Sequence, residues 1–227
     1  MSEPIVRTEP LGGSVLSQAG RAGQLPQWYR PVPRGQSDWR QYARDVADSV
    51  PKTWFSDLEQ AIAPHGAAAA RLERSADARG LVITTGQQPG LFGGPLMTFA
   101  KAITARAIAD ALEELLQLPV APVFWAATDD ADFDEAAVVS VALDGGAKEL
   151  RLDRRAPAGT PMSRVAIDDD IDDLIPFLRD ACGSIAHASY IDIVTSAYRP
   201  GTTVGDAYVA VLPQTSSASP RRRPRRG

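Results

Sequence analysis

The sequence contains few of the residues from which disulfide scaffolds and metal clusters are built. Its 227 residues include one cysteine, Cys182, which cannot form an internal disulfide, and two histidines, which with that thiol are too few for a zinc cluster. No apolar run reaches the ~18 residues needed to cross a bilayer, and the first residues, MSEPIVRTEPLGG, lack the segments of a signal peptide. These absences exclude a redox scaffold, a zinc finger and a membrane span, and they predict a cytoplasmic protein.

Acidic residues are absent after Asp206, where the chain becomes purely basic. Five arginines stand in the last seven positions, and without them 19 basic residues face 28 acidic ones. Such an acidic body argues against nucleic acid as the partner of the folded part. The final segment, rich in serine, proline and arginine, cannot bury enough apolar surface to fold. We therefore predict a folded part over 1–213 and a disordered basic tail over 214–227.

The hydrophobic pattern predicts a βαβ unit in the middle of the chain. The first 80 residues are expected to be irregular over 1–35 and then helical, with a cap at Ser37 and a second helix over 67–79. A buried strand over 81–85 runs into the glycine-dense segment GQQPGLFGGP. A helix capped by Gly94, with Pro95 in its first turn, then leads to a second buried strand over 120–127. The two strands should be parallel.

A hairpin and three helices should follow this unit. The segment DGG at 144–146 lies between two short apolar strands and predicts an antiparallel hairpin. Aspartates at 168–173 suit the first turn of a helix, because the helix dipole favours negative charge there. Further helices should end near Ala197 and run from Val204 to Pro213.

The glycine-rich loop after the first strand is the first candidate site. Ligands of open α/β sheets bind beyond the carboxyl ends of strands, and a helix start offers free N–H groups to a phosphate or carboxylate. The adjacent amides of Gln87 and Gln88 support binding, and Thr98 and Lys101 share a face of the following helix. The loop matches neither a Walker nor a dinucleotide-binding pattern. A plain tight turn, with Lys101 as a solvated surface residue, remains the alternative.

The second candidate is the carboxylate string Asp129, Asp130, Asp132, Asp134 and Glu135 after the second strand. Five acids this close repel one another unless a cation, an amine or shared protons compensate them. The spacing fails the calcium-loop test because Glu135 stands where glycine is needed, so no metal site is predicted. An open solvated loop is the alternative. Trp125, just before the acids, should pack the sheet or line a pocket wall.

Two blocks, TTGQQPGLFGGPLMTFAKAITA and PVFWAATDDADFDEA, together resemble the signature of the bacillithiol biosynthesis cysteine-adding enzyme family. The likeness spans roughly residues 81–137, with looser similarity through YRPGTTVGDA. It implies an α/β fold with a Rossmann-like parallel sheet core, preceded by a helical N-terminal region and carrying the β-hairpin as an appendage. The implied reaction is that of a cysteine ligase, which joins cysteine to the amino group of glucosaminyl malate. The implied partners are therefore small-molecule substrates, without a membrane.

The resemblance also assigns roles to residues of both candidate segments. It implies that Lys101, Asp129 and Asp132 are catalytic. It implies a second set, for binding the substrates: Gly86, Gln87, Gln88, Pro89, Gly90, Gly94, Thr98, Trp125, Asp130 and Asp134. Amide formation from a free carboxylate needs activation, for which ATP with Mg²⁺ is the chemical expectation, although the sequence identifies no cofactor. Ala131 stands where the family's acidic block has a histidine.

Two other functions fit the same residues. A non-catalytic fragment would bind an anion without turnover, and a nucleotidyltransferase-like enzyme would use the same loop with another acceptor. Family members are more than twice as long and dimerise through a coiled-coil arm, which is missing here. We therefore expect a truncated core with an incomplete active site, and an isolated chain that is marginally stable and inactive.

Overall fold

The computed structural model describes residues 12–30, 32–33, 35–62, 64, 66–153, 156–183 and 188–216. The predicted basic tail from 217 onward, and residues 1–11 of the predicted irregular segment, lie outside these ranges. The chain divides into two compact units, unit 1 over Met1–Ser49 and unit 2 over Val50–Gly227. Across the described ranges, no helix is both long and apolar enough to cross a membrane.

The described residues of unit 1 include the helices α1 (Val15–Arg21) and α2 (Gln36–Ser49). The prediction of an irregular segment over 1–35 was wrong for α1, because Ser14 caps it by accepting a hydrogen bond from the Ser17 amide at 3.2 Å. Helix α2 begins before the predicted cap at Ser37, since the Trp39 amide already donates to the Gly35 carbonyl at 3.0 Å. The indole of Trp39 packs edge-on against Tyr42 on the same helix.

Unit 2 opens with the predicted βαβ arrangement. A short helix α3 (Trp54–Asp57) and helix α4 (Ala67–Asp77) lead to strand β1 (Leu81–Gln87), helix α5 (Leu96–Leu116) and strand β2 (Val120–Ala126). Strands β1 and β2 pair in parallel, with Leu81 opposite Val120 and Gln87 opposite Ala126. Both α4 and α5 contact these strands. The parallel pairing predicted from the two buried runs is therefore confirmed.

The predicted hairpin and terminal helices are also present. After a short helix α6 (Phe133–Ala136), strands β3 (Val138–Leu143) and β4 (Gly146–Arg151) pair antiparallel, and Lys148 covers the Phe177 ring with its ammonium 3.1 Å from the ring centroid. The described residues that follow include the helices α7 (Asp170–Cys182), α8 (Ala188–Ala197) and α9 (Val204–Ser216). Helix α9 thus continues beyond Pro213, where the sequence predicted its end.

The main apolar core of unit 2 lies beneath the loop that follows β1, between the hairpin and helices α7 to α9. Its fully buried members include Leu91, Leu150, Ile171, Tyr198 and Val211. Helix α5, by contrast, leaves part of its apolar pattern exposed, with Leu96 at 83% and Ile103 at 66% exposure. The periodicity located this helix correctly, but it did not tell which of its apolar residues are covered.

Candidate functional site

Both candidate segments lie at the same edge of the parallel sheet. Strand β1 ends at Gln87 and β2 ends at its partner Ala126, so the glycine loop and the acidic string both leave the carboxyl ends of paired strands. The two chain segments stay linked past the strands, because the Ala127 amide donates to the Gln87 carbonyl at 3.1 Å. This geometry agrees with the predicted position of ligands in open α/β sheets.

Backbone geometry alone requires glycine at several positions of this segment. Gly86 lies within β1 rather than in the loop, and a Cβ there would be 2.7 Å from the Trp125 carbonyl oxygen. A Cβ on buried Gly90 would come within 2.5 Å of the Gly94 Cα, and Gly94 has a φ of +82°. The neighbouring Pro89 is also buried. The turn itself therefore requires glycine at 90 and 94, whether or not a ligand is bound.

The loop leads directly into an uncapped helix start. Pro95, rather than the predicted Gly94, is the N-cap of α5, and no side chain caps it. The Thr98 amide donates to the Pro95 carbonyl at 2.8 Å, which leaves the amides of Leu96 and Met97 without a partner in the described part of the chain. A 21-residue helix with open amides at its start is a suitable place for an anion.

Thr98 does not take part in that surface. It is completely buried beneath the loop, with its Oγ1 3.0 Å from the position of a Cβ on Gly94. Its hydroxyl lies near Tyr208, yet among the described residues neither hydroxyl makes a hydrogen bond of acceptable geometry. The structure therefore separates Thr98 from Lys101, although both belong to the first turns of α5.

Lys101 organises the edge of the sheet through a chain of side-chain hydrogen bonds. Its ammonium donates to the Gly86 carbonyl at 3.2 Å and to Gln87 Oε1 at 2.6 Å, and Gln87 Nε2 donates to Gln88 Oε1 at 2.9 Å. Since lysine can only donate, Gln87 must turn its oxygen toward Lys101 and its nitrogen toward Gln88. The amide nitrogen of Gln88 is thereby left as a donor without a partner in the described ranges.

Two residues of the acidic string hydrogen-bond to nearby backbone amides. Asp132 caps α6 by accepting from the Glu135 amide at 3.1 Å, and Asp130 Oδ1 accepts from the Asp132 amide at 2.7 Å. Asp129 and Asp134 are exposed. The described residues contain no group of three acidic, histidine or cysteine side chains that could hold a metal ion. Asp130 and Asp132 therefore shape the local turn, and the residues do not by themselves fit a Mg²⁺ ion.

Contacts from distant segments support this edge, and they were not predicted. The Ser163 amide donates to the Thr128 carbonyl and the Met162 amide to the Asp130 carbonyl, both at 2.9 Å. The hydroxyl of Tyr198, which directly follows α8, donates to the carbonyl of Gly90, a residue 108 positions earlier in the sequence. No local sequence pattern connects segments so far apart. Trp125, expected to pack the sheet or line a pocket, has 68% of its surface exposed beside Gly86, its register partner.

A groove at the opposite end of the parallel sheet is a weaker candidate for an anion site than the loop and the start of α5. Its basic residues are Arg71 and Arg74. The Arg71 guanidinium already binds Asp110 at 2.6 Å, Glu113 at 2.9 Å and the Val120 carbonyl at 2.6 Å. Because these partners satisfy its charge, the groove offers an added anion less than the edge beside Lys101 does.

Comparison with known proteins agrees with these features. Residues 24–214 match the family described as "Bacillithiol biosynthesis BshC, N-terminal Rossmann-like domain". The chain is 32% identical over 143 residues to the "Putative cysteine ligase BshC" of Salinibacter ruber, covering 62% of this chain and 26% of that protein. It is 37% identical over 108 residues to the protein of that name from Halalkalibacterium halodurans, covering 48% and 20%.

A shorter match of higher identity concerns the Heliobacterium modesticaldum protein of the same name, 50% identical over 68 residues, or 30% of this chain and 12% of that protein. The chain thus spans no more than about a quarter of the length of these relatives. The family match covers both candidate segments and most of the chain, and it confirms the resemblance drawn from them and the Rossmann-like α/β fold. The chain belongs to the bacillithiol biosynthesis BshC family, whose N-terminal Rossmann-like domain it carries.

Proposed function

We propose that this chain supplies the anion-holding edge of a cysteine ligase that joins cysteine to the amino group of glucosaminyl malate. The relatives named as cysteine ligases support the reaction class. The observation that carries the proposal is the directed chain from Lys101 through Gln87 to Gln88, beside the uncapped start of α5. One ammonium, one amide nitrogen and open backbone amides all act as donors there, an arrangement suited to a phosphate or carboxylate.

Lys101 contributes the charge of this proposed site. Two of its three N–H groups are used for Gly86 and Gln87, which leaves one for a ligand. Because the side chain is half-buried, its ammonium is screened less by solvent than that of a fully exposed lysine. Its bonds to β1 also hold the ammonium in place before a ligand arrives, which reduces the ordering cost of binding.

We propose that the Asp129 carboxylate lies beside the attacking amine and accepts its proton. It is exposed, and unlike Asp130 and Asp132 it makes no hydrogen bond within the described residues. An attacking amine must lose a proton as the new amide bond forms, and a carboxylate beside it can accept that proton. ATP would activate the cysteine carboxylate, and one carboxylate oxygen would leave with a phosphate group of ATP as the new C–N bond forms. The side chains at this edge suit an anionic group of such a molecule.

A second candidate function is anion binding without turnover. It is favoured by one observation, since the acidic residues that the structure describes form no group of three side chains that could hold a metal ion. We therefore propose that these 227 residues alone bind the anion and leave the ligation incomplete. A nucleotidyltransferase-like reaction with another acceptor gains no such support. The predicted cytoplasmic location stays a prediction, as does dimerisation of longer relatives.

The test combines binding with product analysis. The protein is titrated calorimetrically with inorganic phosphate, ATP and cysteine, and it is separately incubated with cysteine, glucosaminyl malate, ATP and Mg²⁺ before mass spectrometry. We expect phosphate or ATP to bind and no amide product to form. Product formation would refute the binding-only role and support the complete ligase. A folded protein that binds neither phosphate nor ATP would contradict the proposed anion site.

A further inference from the structure

The glycine loop contains an unusual run of left-handed backbone conformations. Phe92 has a φ of 56° and a ψ of 30°, and it is followed by Gly93 and Gly94 with φ values of 98° and 82°. Glycine adopts such angles freely, whereas a bulky residue does so only when its surroundings enforce it. Phe92 is also buried, with 7% of its surface exposed. Some contact outside the loop must therefore hold this turn.

Tyr198 makes that contact. It follows α8 directly, is completely buried, and its hydroxyl donates to the Gly90 carbonyl at 2.7 Å while accepting from the Gly93 amide at 3.0 Å. Its ring packs edge-on against Phe92, with centroids 5.4 Å apart. One side chain thus binds the backbone on both sides of Phe92 and supports the Phe92 ring as well.

The hydroxyl can keep this double role across the physiological pH range. Burial raises the pKa of Tyr198 far above its ordinary value, and the nearby Tyr208 raises it further, while the Gly93 amide partly opposes the rise. The phenol therefore remains protonated and able to donate to Gly90. Tyr208 offers a contrast, because it is equally buried and its hydroxyl has no hydrogen-bond partner among the described residues.

We propose that Tyr198 is a positioning residue, which fixes the Gly90–Gly94 turn so that Gln88 and the amides at the start of α5 face a bound anion. This inference rests on the proposed function. Tyr198 itself has no surface with which to touch a ligand, so it acts only through the backbone of the loop. The Gly93 amide also bonds to the Gly90 carbonyl at 3.1 Å, so the turn can still close without the hydroxyl, but with fewer restraints.

The experiment compares Tyr198→Phe with Tyr208→Phe in the full chain. Both variants lose one buried phenolic oxygen and keep the ring, but only the first loses hydrogen bonds to the loop. Calorimetry with inorganic phosphate and with ATP should show binding weakened about tenfold in Tyr198→Phe, the equivalent of one or two ordinary hydrogen bonds. Binding in Tyr208→Phe should stay within about twofold of wild type. Hydrogen exchange at the Gly93 amide should accelerate in Tyr198→Phe alone.

The outcomes separate the two claims. Wild-type affinity in a folded Tyr198→Phe variant would overturn the positioning role while leaving the anion site intact. Equal losses in both variants, with unchanged Gly93 exchange, would also overturn it, because they would reflect general loosening of the core. A wild-type protein that binds neither probe would contradict the proposed function and the positioning role together. Thermal melting of each variant verifies that the comparison concerns folded protein.

Discussion

Replacing Lys101 with methionine should weaken anion binding much more than it weakens the fold. Methionine keeps the apolar stem of the side chain but removes the ammonium that bonds Gly86 and Gln87. A hydrogen bond between a charged donor and an anion contributes roughly 1.5–3 kcal/mol, so its loss should weaken binding about 10- to 150-fold.

The effect on folding should be smaller, because the two internal partners of Lys101 lie at the half-buried edge of the sheet. We expect a cost of about 1 kcal/mol, which for a chain of this size lowers Tm by roughly 2–4 °C. The orientation of Gln87 should also become free, so Gln88 loses its fixed direction. The affinity loss therefore has two origins, the missing charge of Lys101 and the lost orientation of the Gln87 and Gln88 side-chain amides.

The assay is calorimetric titration of phosphate and ATP into wild type, Lys101→Met and the control Lys52→Met. Lys52 is exposed and lies outside the candidate site, so the control makes the same chemical change without touching the proposed ligand. Its affinity should equal that of wild type. Wild-type affinity in folded Lys101→Met would refute the argument, as would equal losses in both variants, which would indicate a nonspecific effect of net charge.

Three further predictions follow from individual contacts. Gly205→Ala should destabilise unit 2 in chemical denaturation, because the alanine Cβ would come within 2.9 Å of the Ser163 backbone. Such overpacking costs about 1–3 kcal/mol, which exceeds the roughly 1 kcal/mol that alanine gains over glycine in helix propensity. Burial raises the pKa of Tyr208 above its ordinary 10.0, so the folded state holds this proton more tightly than the unfolded state. The free energy of unfolding should therefore fall as pH rises above 10.0, and this fall should be less steep in Tyr208→Phe. Ile103→Lys should reduce self-association in sedimentation without changing Tm, because Ile103 is 66% exposed on an apolar face of α5.

The parts of the fold that depend on local pattern could be predicted from the sequence. The apolar runs at Leu81 and Val120, with a long helical repeat between them, were sufficient for the parallel pair, because short strands joined by a helix pair in parallel. The Asp144–Gly145 turn likewise predicted the hairpin correctly. Helix boundaries were less accurate, as at Ser37 and Pro95, because several nearby residues could serve as caps.

The sequence predicted that the two candidate segments lie at one edge of the sheet, but it did not predict the contacts within them. Sequence spacing located Lys101 near the loop, yet the same spacing suggested that Thr98 would join it, and burial of α5 against Tyr208 prevents this. The contact of Tyr198 with Gly90 depends on folding across 108 residues, which periodicity cannot report. Exposure of Trp125 is likewise a property of tertiary packing, since its apolar sequence neighbours predict burial.

The most direct test of the account is to map where phosphate binds, by following backbone amide signals in nuclear magnetic resonance during a titration of the full chain. We predict that the largest shifts fall on Gln88, Gly93, Leu96 and Met97, with little change around Arg71 in the groove at the opposite end of the sheet. Saturable shifts confined to the Arg71 groove, or no saturable shifts in a folded protein, would contradict the claim that the glycine loop and the start of α5 form an anion site.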